Sequence, residues 1–171
     1  MKRTLYYFST VFVLCATFVT SSAQALSIGE TAPSISAPSL RDAKTVSTAD
    51  YRGKVLYVDF WASWCGPCAQ VFPLLDQLRA ELGPEGFEVL GVNVDSDAAD
   101  ARRFMKKHVV NFPLLGPVGD AVPTAFGVEG MPYGVVIDRQ GVVRAVHLGL
   151  SASEIPALRK QLKSLLAQPP K

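Results

Sequence analysis

One junction constrains this chain more than any other. The seven residues from Val55 to Trp61 (Val-Leu-Tyr-Val-Asp-Phe-Trp) contain a single charge. A run this short, rich in β-branched and aromatic side chains, reads as a strand buried on both faces. After three more residues comes Cys65-Gly66-Pro67-Cys68, followed by apolar residues at Val71, Phe72, Leu74, Leu75, Leu78 and Leu82. Their spacing is that of one helix face, so a helix is predicted from about Pro67 to Leu82. Pro73 lies inside it and is expected to kink it. Gly83-Pro84-Glu85-Gly86 ends it. A buried strand turning directly into an amphipathic helix implies a layered α/β domain, with two thiols at the turn.

The remaining pattern fits that class. Residues 26–52 are rich in Ser, Ala, Pro and Thr and read as an extended lead-in. A short β-hairpin is expected there, turning at Arg41-Asp42-Ala43-Lys44 and ending at Tyr51-Arg52-Gly53-Lys54. Phe87 to Val94 is a second strand. Asp95-Ser96-Asp97 looks like the N-cap region of a helix from about Ala98 to His108. Phe112-Pro113-Leu114-Leu115 and a Gly/Pro-rich link follow, with a short helix around Ala121–Phe126. Met131-Pro132 opens a strand, Tyr133–Asp138, which Asp138-Arg139-Gln140-Gly141 joins to a partner, Val142–Leu148. Ser153 to Ala167 is a last amphipathic helix, and 168–171 a disordered tail. The expected fold class is α/β, a central mixed sheet flanked by helices.

Residues 1–25 read as a cleavable signal peptide. Lys2 and Arg3 precede a mostly apolar stretch, Leu5 to Val19, and Ala23-Gln24-Ala25 supplies a small-x-small cleavage site. The apolar stretch is shorter than the ~20 residues that span a bilayer as a helix. An uncleaved N-terminal anchor is the alternative. Residues 26–171 then form a single domain, exported to the periplasm and without a membrane span. A hydrophobic content of 49% is enough for one core. Without Lys2 and Arg3, fifteen basic residues face fifteen acidic ones. That balance gives no footing for nucleic acid or an anionic surface as partner. Cys15 leaves with the signal, and Leu14 before it is not the small residue that a lipid-attachment site wants. Only Cys65 and Cys68 remain.

A disulfide between cysteines three apart closes a tiny loop and removes little chain entropy, so this pair is a poor staple and a good reagent. With the helix starting near Gly66, Cys65 sits at its positive end, where a thiolate is favoured. Cys68, one turn on, is placed to attack a mixed disulfide formed on Cys65. A structural zinc site needs four ligands, and no second CxxC or Cys/His pattern supplies them. Asp59 is a lone acid in an apolar strand. Buried without a partner, its carboxyl would be raised in pKa and able to exchange a proton with Cys68. The other reading is an acid solvated at a strand end. Pro132 is either a simple strand-entry residue or a cis proline.

The run Val58 to Cys68, with Pro73 five residues on, resembles the thioredoxin active-site block. Gly130-Met131-Pro132 before Val135-Val136-Ile137-Asp138 resembles the loop carrying that family's cis-proline. Ala32-Pro33 to Tyr51-Arg52-Gly53-Lys54, Val92-Asn93-Val94-Asp95 and Phe126-Gly127-Val128 resemble a narrower branch, the exported TlpA/ResA/DsbE-like thiol–disulfide oxidoreductases. The resemblance spans roughly Ile28 to Leu166. It implies a thioredoxin-like fold with an N-terminal hairpin extension and an insertion between the Cys helix and the proline loop. It also implies a cis Pro132, with Trp64, Gly66, Pro67 and Met131 supporting Cys65, Cys68 and Asp59. No cofactor or metal is implied. Several members of the branch carry Glu three residues after the second Cys, and often Asn at the position of Asp59. Here those positions hold Val71 and Asp59.

The expected function is reduction of client-protein disulfides by a CxxC dithiol. Gly-Pro between the cysteines is the dipeptide of reducing thioredoxins, with potentials near about −270 mV. In an oxidising compartment such a reductant needs a membrane electron donor of the thiol-transfer type. A dedicated reductant for cytochrome c maturation or copper-site cysteines is the alternative within the class, with a dithiol oxidase behind it. A non-enzymatic Cu(I)-binding module is the alternative outside it. His108 and His147 read as surface or packing residues.

Overall fold

The computed structural model describes residues 26–169. The predicted signal segment, 1–25, and the last two residues of the predicted tail lie outside the described residues.

The lead-in forms the expected hairpin. β1 (Ser36–Pro38) pairs antiparallel with β2 (Thr45–Ser47), Ala37 opposite Val46. A 3-10 turn, Thr48–Tyr51, follows and is closed at its start. The Asp50 carboxylate accepts from the Ser47 N–H at 2.8 Å, and the Ser47 hydroxyl accepts from the Ala49 N–H at 3.2 Å.

β3 (Val55–Trp61) is buried along its whole length, as its composition requires. α1 (Cys68–Leu82) buries Cys68, Val71, Phe72, Leu75, Leu78 and Leu82, the predicted stripe with Leu74 at its margin. The helix starts one residue later than predicted, with Pro67 as N-cap, and continues through Pro73. β4 (Phe87–Asn93) is buried throughout. α2 (Ala98–Lys107) begins at Asp97, whose carboxylate accepts from the Ala99 N–H at 2.8 Å. β5 (Leu114–Leu115), α3 (Ala121–Ala125), β6 (Tyr133–Ile137), β7 (Val143–Leu148) and α4 (Ile155–Leu166) complete the chain. The insertion expected between the Cys helix and the proline loop falls within the stretch holding β4, α2, β5 and α3.

The five-stranded sheet has the order β5-β4-β3-β6-β7. β3 runs parallel to β4, and β4 to β5, whereas β6 is antiparallel to both β3 and β7. β5 was not expected from the sequence. It is two residues long, pairs with Gly91 and Val92 of β4, and receives Ser39 of the hairpin as an isolated bridge. Helices α1, α2 and α4 cover one face, packing Leu75, Phe104 and Leu158 around Tyr57 and Trp61. Ile35, Ala37 and Phe126 cover the other, against Leu56, Val58 and Phe60.

The β6–β7 turn is built by Asp138. Its Oδ1 accepts from the N–H groups of Gln140 at 2.9 Å and Val142 at 3.0 Å, and its Oδ2 from Arg144 Nε at 2.6 Å. Burial pushes that carboxyl up, but the hydrogen bonds and Arg144 outweigh it and hold the group below the usual aspartate value. Gly141 takes φ +83° to close the turn.

This topology positions the site. β3 and β4 are parallel, so the loops leaving Trp61 and Asn93 emerge at one end of the sheet. β6 is antiparallel and starts at that same end, with Tyr133 opposite Phe60. The residues before Tyr133 therefore meet the turn that carries the cysteines.

Candidate active site

The turn after β3 is held before the cysteines are reached. Asp95, just beyond β4, accepts from the Ser63 N–H at 3.0 Å and the Ser63 hydroxyl at 2.9 Å. Asn93 Nδ2 donates to the same carboxylate at 2.8 Å, and the Asp95 N–H donates back to Asn93 Oδ1 at 3.1 Å. Asp95 is thus a buried clamp on the reactive turn, and the N-cap role expected of its segment belongs to Asp97 alone.

Cys65 and Cys68 form a disulfide, with Cα atoms 5.4 Å apart. The Cys68 N–H, at the open end of α1, donates to Cys65 Sγ at 3.2 Å. The two sulfurs are not equivalent. Cys65 keeps 4% exposure and Cys68 has none. Trp64 stands 70% exposed beside them. Gly66 occupies open space, and Pro67 caps the helix.

Asp59 lies in the middle of β3, 1% exposed, and neither carboxylate oxygen has a hydrogen-bond partner among the described residues. The solvated strand-end reading is excluded. Burial alone drives its pKa well above the ordinary 3.8. Strand alternation puts Asp59 on the face of Tyr57 and Trp61, the face where Cys68 is buried. Its isolation has a cause in the register. Gly91 is its neighbour on β4 and Gly134 its neighbour on β6, so neither lateral neighbour carries a side chain of its own to pair with it. Beyond Gly134 the same row reaches His147 on β7. Tyr57 lies over Gly134, where an added Cβ would run into its phenol ring, and stacks on His147 with centroids 6.1 Å apart. His147 is half-buried, its Nε2 unpartnered, and burial holds its pKa below 6.5 against the opposing pull of Glu154. It is a packing residue, as expected, but in the row of Asp59.

The Met131–Pro132 bond is cis, and so is Gly116–Pro117, which the sequence did not announce. Pro132 shares a cleft of about 430 Å³ with Pro67 and Gln70. Met131 packs against the core cluster that contains both cysteines. Pro67 and Pro132 thus border one cleft at the Cys turn, Met131 packs against the same cluster as both cysteines, and Asp59 lies on the sheet face that this cluster covers. The structure adds Asp95, which the sequence offered as part of a helix N-cap and not as a clamp on the Cys turn. Among the described residues no group of three or more His, Cys, Asp or Glu side chains is arranged to hold a metal ion.

A redox-active pair at a helix start, a buried acid behind it and a proline loop in front define a thioredoxin-like thiol–disulfide oxidoreductase. Comparison with known proteins agrees. Thiol-disulfide oxidoreductase ResA of Geobacillus thermodenitrificans is 29% identical over 154 residues, 90% of this chain and 86% of that one. ResA of Geobacillus kaustophilus is 30% identical over 130 residues, 76% and 74% of the two chains. A solved structure described as a thiol:disulfide interchange protein DsbE, from Chlorobium tepidum, matches with a TM-score of 0.77 at 36% identity, over 84% of this chain and 100% of that one. The Redoxin family pattern matches residues 27–162. The chain belongs to that family, in its TlpA/ResA/DsbE-like branch.

Proposed function

We propose that this protein is exported by its first 25 residues and, in the periplasm, reduces disulfides of client proteins. The cycle needs no cofactor. The Cys65 thiolate attacks a client disulfide; a Cys65–client bond forms, the client bond breaks and one client thiolate leaves. Cys68 then attacks Cys65 Sγ, closes the ring and releases the second client thiol. Two electrons pass from the protein dithiol to the client, and a thiol-transfer donor in the membrane restores the dithiol.

The observation that carries this reading is the asymmetry of the pair. Cys65 is the residue that keeps some exposure, and its sulfur receives the Cys68 N–H at the start of α1. Asp59 serves as the proton partner of Cys68. A carboxyl that burial raises well above its ordinary value can hold a proton and pass it on. Pro132 has no N–H to offer, and with Met131 it forms the edge along which an extended client segment is laid. Val71 supports a general reductant over one dedicated to cytochrome c maturation. It is 1% exposed in the apolar stripe of α1, so the acid carried there by several members of the branch has no counterpart.

Trapping tests the assignment. Cys68→Ser should accumulate mixed disulfides with a disulfide-bearing client such as insulin, and Cys65→Ser should accumulate none. Iodoacetamide should label Cys65 first in the reduced protein. Preferential labelling of Cys68 would exchange the two roles.

A further inference from the structure

A cleft of about 610 Å³ opens beside Cys65, between the reactive turn and α2. Trp64, Cys65, Phe104, Lys106, Lys107 and His108 are among its walls. Its charge is one-sided. Arg103 is paired with Asp100, but Lys106 and Lys107 form no ion pair among the described residues. This stands out in a chain that has no net charge beyond residue 25. Two unneutralised ammonium groups on the rim of a reactive-sulfur cleft raise the local concentration of anions beside Cys65. The apolar wall comes from Phe104, whose ring lies 4.3 Å from that of His108, and from the exposed Trp64.

The arrangement of the space argues for a chain. The cleft that holds Pro132 and Pro67 shares no lining residue with this one, yet both border the same Cys turn. An extended segment crossing the turn occupies both, whereas a small molecule fills one.

We propose that the α2 cleft receives an acidic segment of the client polypeptide, with carboxylates flanking the cysteine that Cys65 attacks. This deepens the reductant reading and rests on it for the chemistry. α2 then selects the substrate, while β3, α1 and the Pro132 loop react with it.

The test is single-turnover reduction of three disulfide peptides by the pre-reduced protein, their cysteines flanked by Glu, Gln or Lys. At low ionic strength the Glu peptide should react about tenfold faster than the Gln peptide, and molar salt should remove that advantage. Lys106→Glu/Lys107→Glu should reverse the order, so that the Lys peptide becomes the fastest. Lys160→Glu, on α4 and outside the cleft, should keep the original order. Circular dichroism checks that each variant is folded. Equal rates for all three peptides, or a Glu preference that survives the double charge reversal, would overturn the proposal and leave the redox reading intact. If oxidised glutathione alone responds to the reversal, the occupant is a small anionic disulfide and the polypeptide assignment is overturned. Reduction of no peptide overturns the redox reading, and this proposal with it.

Discussion

Replacing Asp59 by Asn should stabilise the protein by an amount that grows with pH. The folded carboxyl sits unpartnered between two glycines and is raised well above 3.8 by burial. The unfolded chain gives up this proton near 3.8, while the folded chain still holds it. Raising the pH through that window therefore favours the unfolded state, and wild-type stability is lost from about pH 4 upward until the folded group itself ionises. Each pH unit inside the window is worth about 1.4 kcal/mol. For a chain of this size that is about 3–5 °C in Tm per pH unit. Asn has nearly the same shape and buries an amide at a fixed cost, so its penalty shifts the whole curve without tilting it. The assay is thermal unfolding of the oxidised proteins by circular dichroism at pH 4.5, 5.5 and 6.5. In the oxidised form neither cysteine titrates, and the other ionisable groups are common to both proteins. The Tm difference, variant minus wild type, should rise with pH for as long as the folded carboxyl keeps its proton. Parallel curves would refute the reasoning, since they would mean that Asp59 titrates alike in the folded and unfolded chains.

Asp59→Asn should also slow insulin reduction between pH 6 and 9, and turnover equal to wild type across that range would remove the proton role. His147 has its folded pKa below 6.5, so the unfolded chain protonates first and stability is lost as pH falls below that value; His147→Phe keeps the ring against Tyr57 and should flatten this acid limb in Tm against pH. Gly134→Ala drives a Cβ into the Tyr57 phenol, which is fully buried and cannot swing away; the loss should be about 1–3 kcal/mol by denaturant titration. Asp95→Ala removes the acceptor that holds the Ser63 N–H and hydroxyl; it should cost about 2–3 kcal/mol and slow client reduction as the turn loosens, and an unchanged rate would show that the turn is ordered without it.

The parts legible in the sequence were those whose signal is local. The apolar run 55–61 and the stripe from Val71 to Leu82 announced β3 and α1 because burial on a strand and on a helix leaves different periods. Asp59 was conspicuous because an acid in such a run is costly to bury. The parts that escaped depend on partners far along the chain. β5 is two residues that become a strand only because β4 and Ser39 meet them there. Asp95 looked like a cap because its neighbours Ser96 and Asp97 are capping residues; its real partner, Ser63, is 32 residues away. The glycine-flanked row from Asp59 to His147 is a matter of register across four strands, which no single segment carries.

β3 is the central strand, paired with β4 along its whole length and with β6 from Leu56 to Phe60, and covered on both faces. Its amides should be among the last to exchange with deuterium, opening only when the whole molecule unfolds. The reactive turn is fastened to the end of that strand and to the start of α1, so it has little freedom of its own to lose when a client arrives. In kinetic terms most of the motion in each turnover is then expected of the partner: a turn fastened at both ends is a fixed edge, and a substrate chain would do the bending.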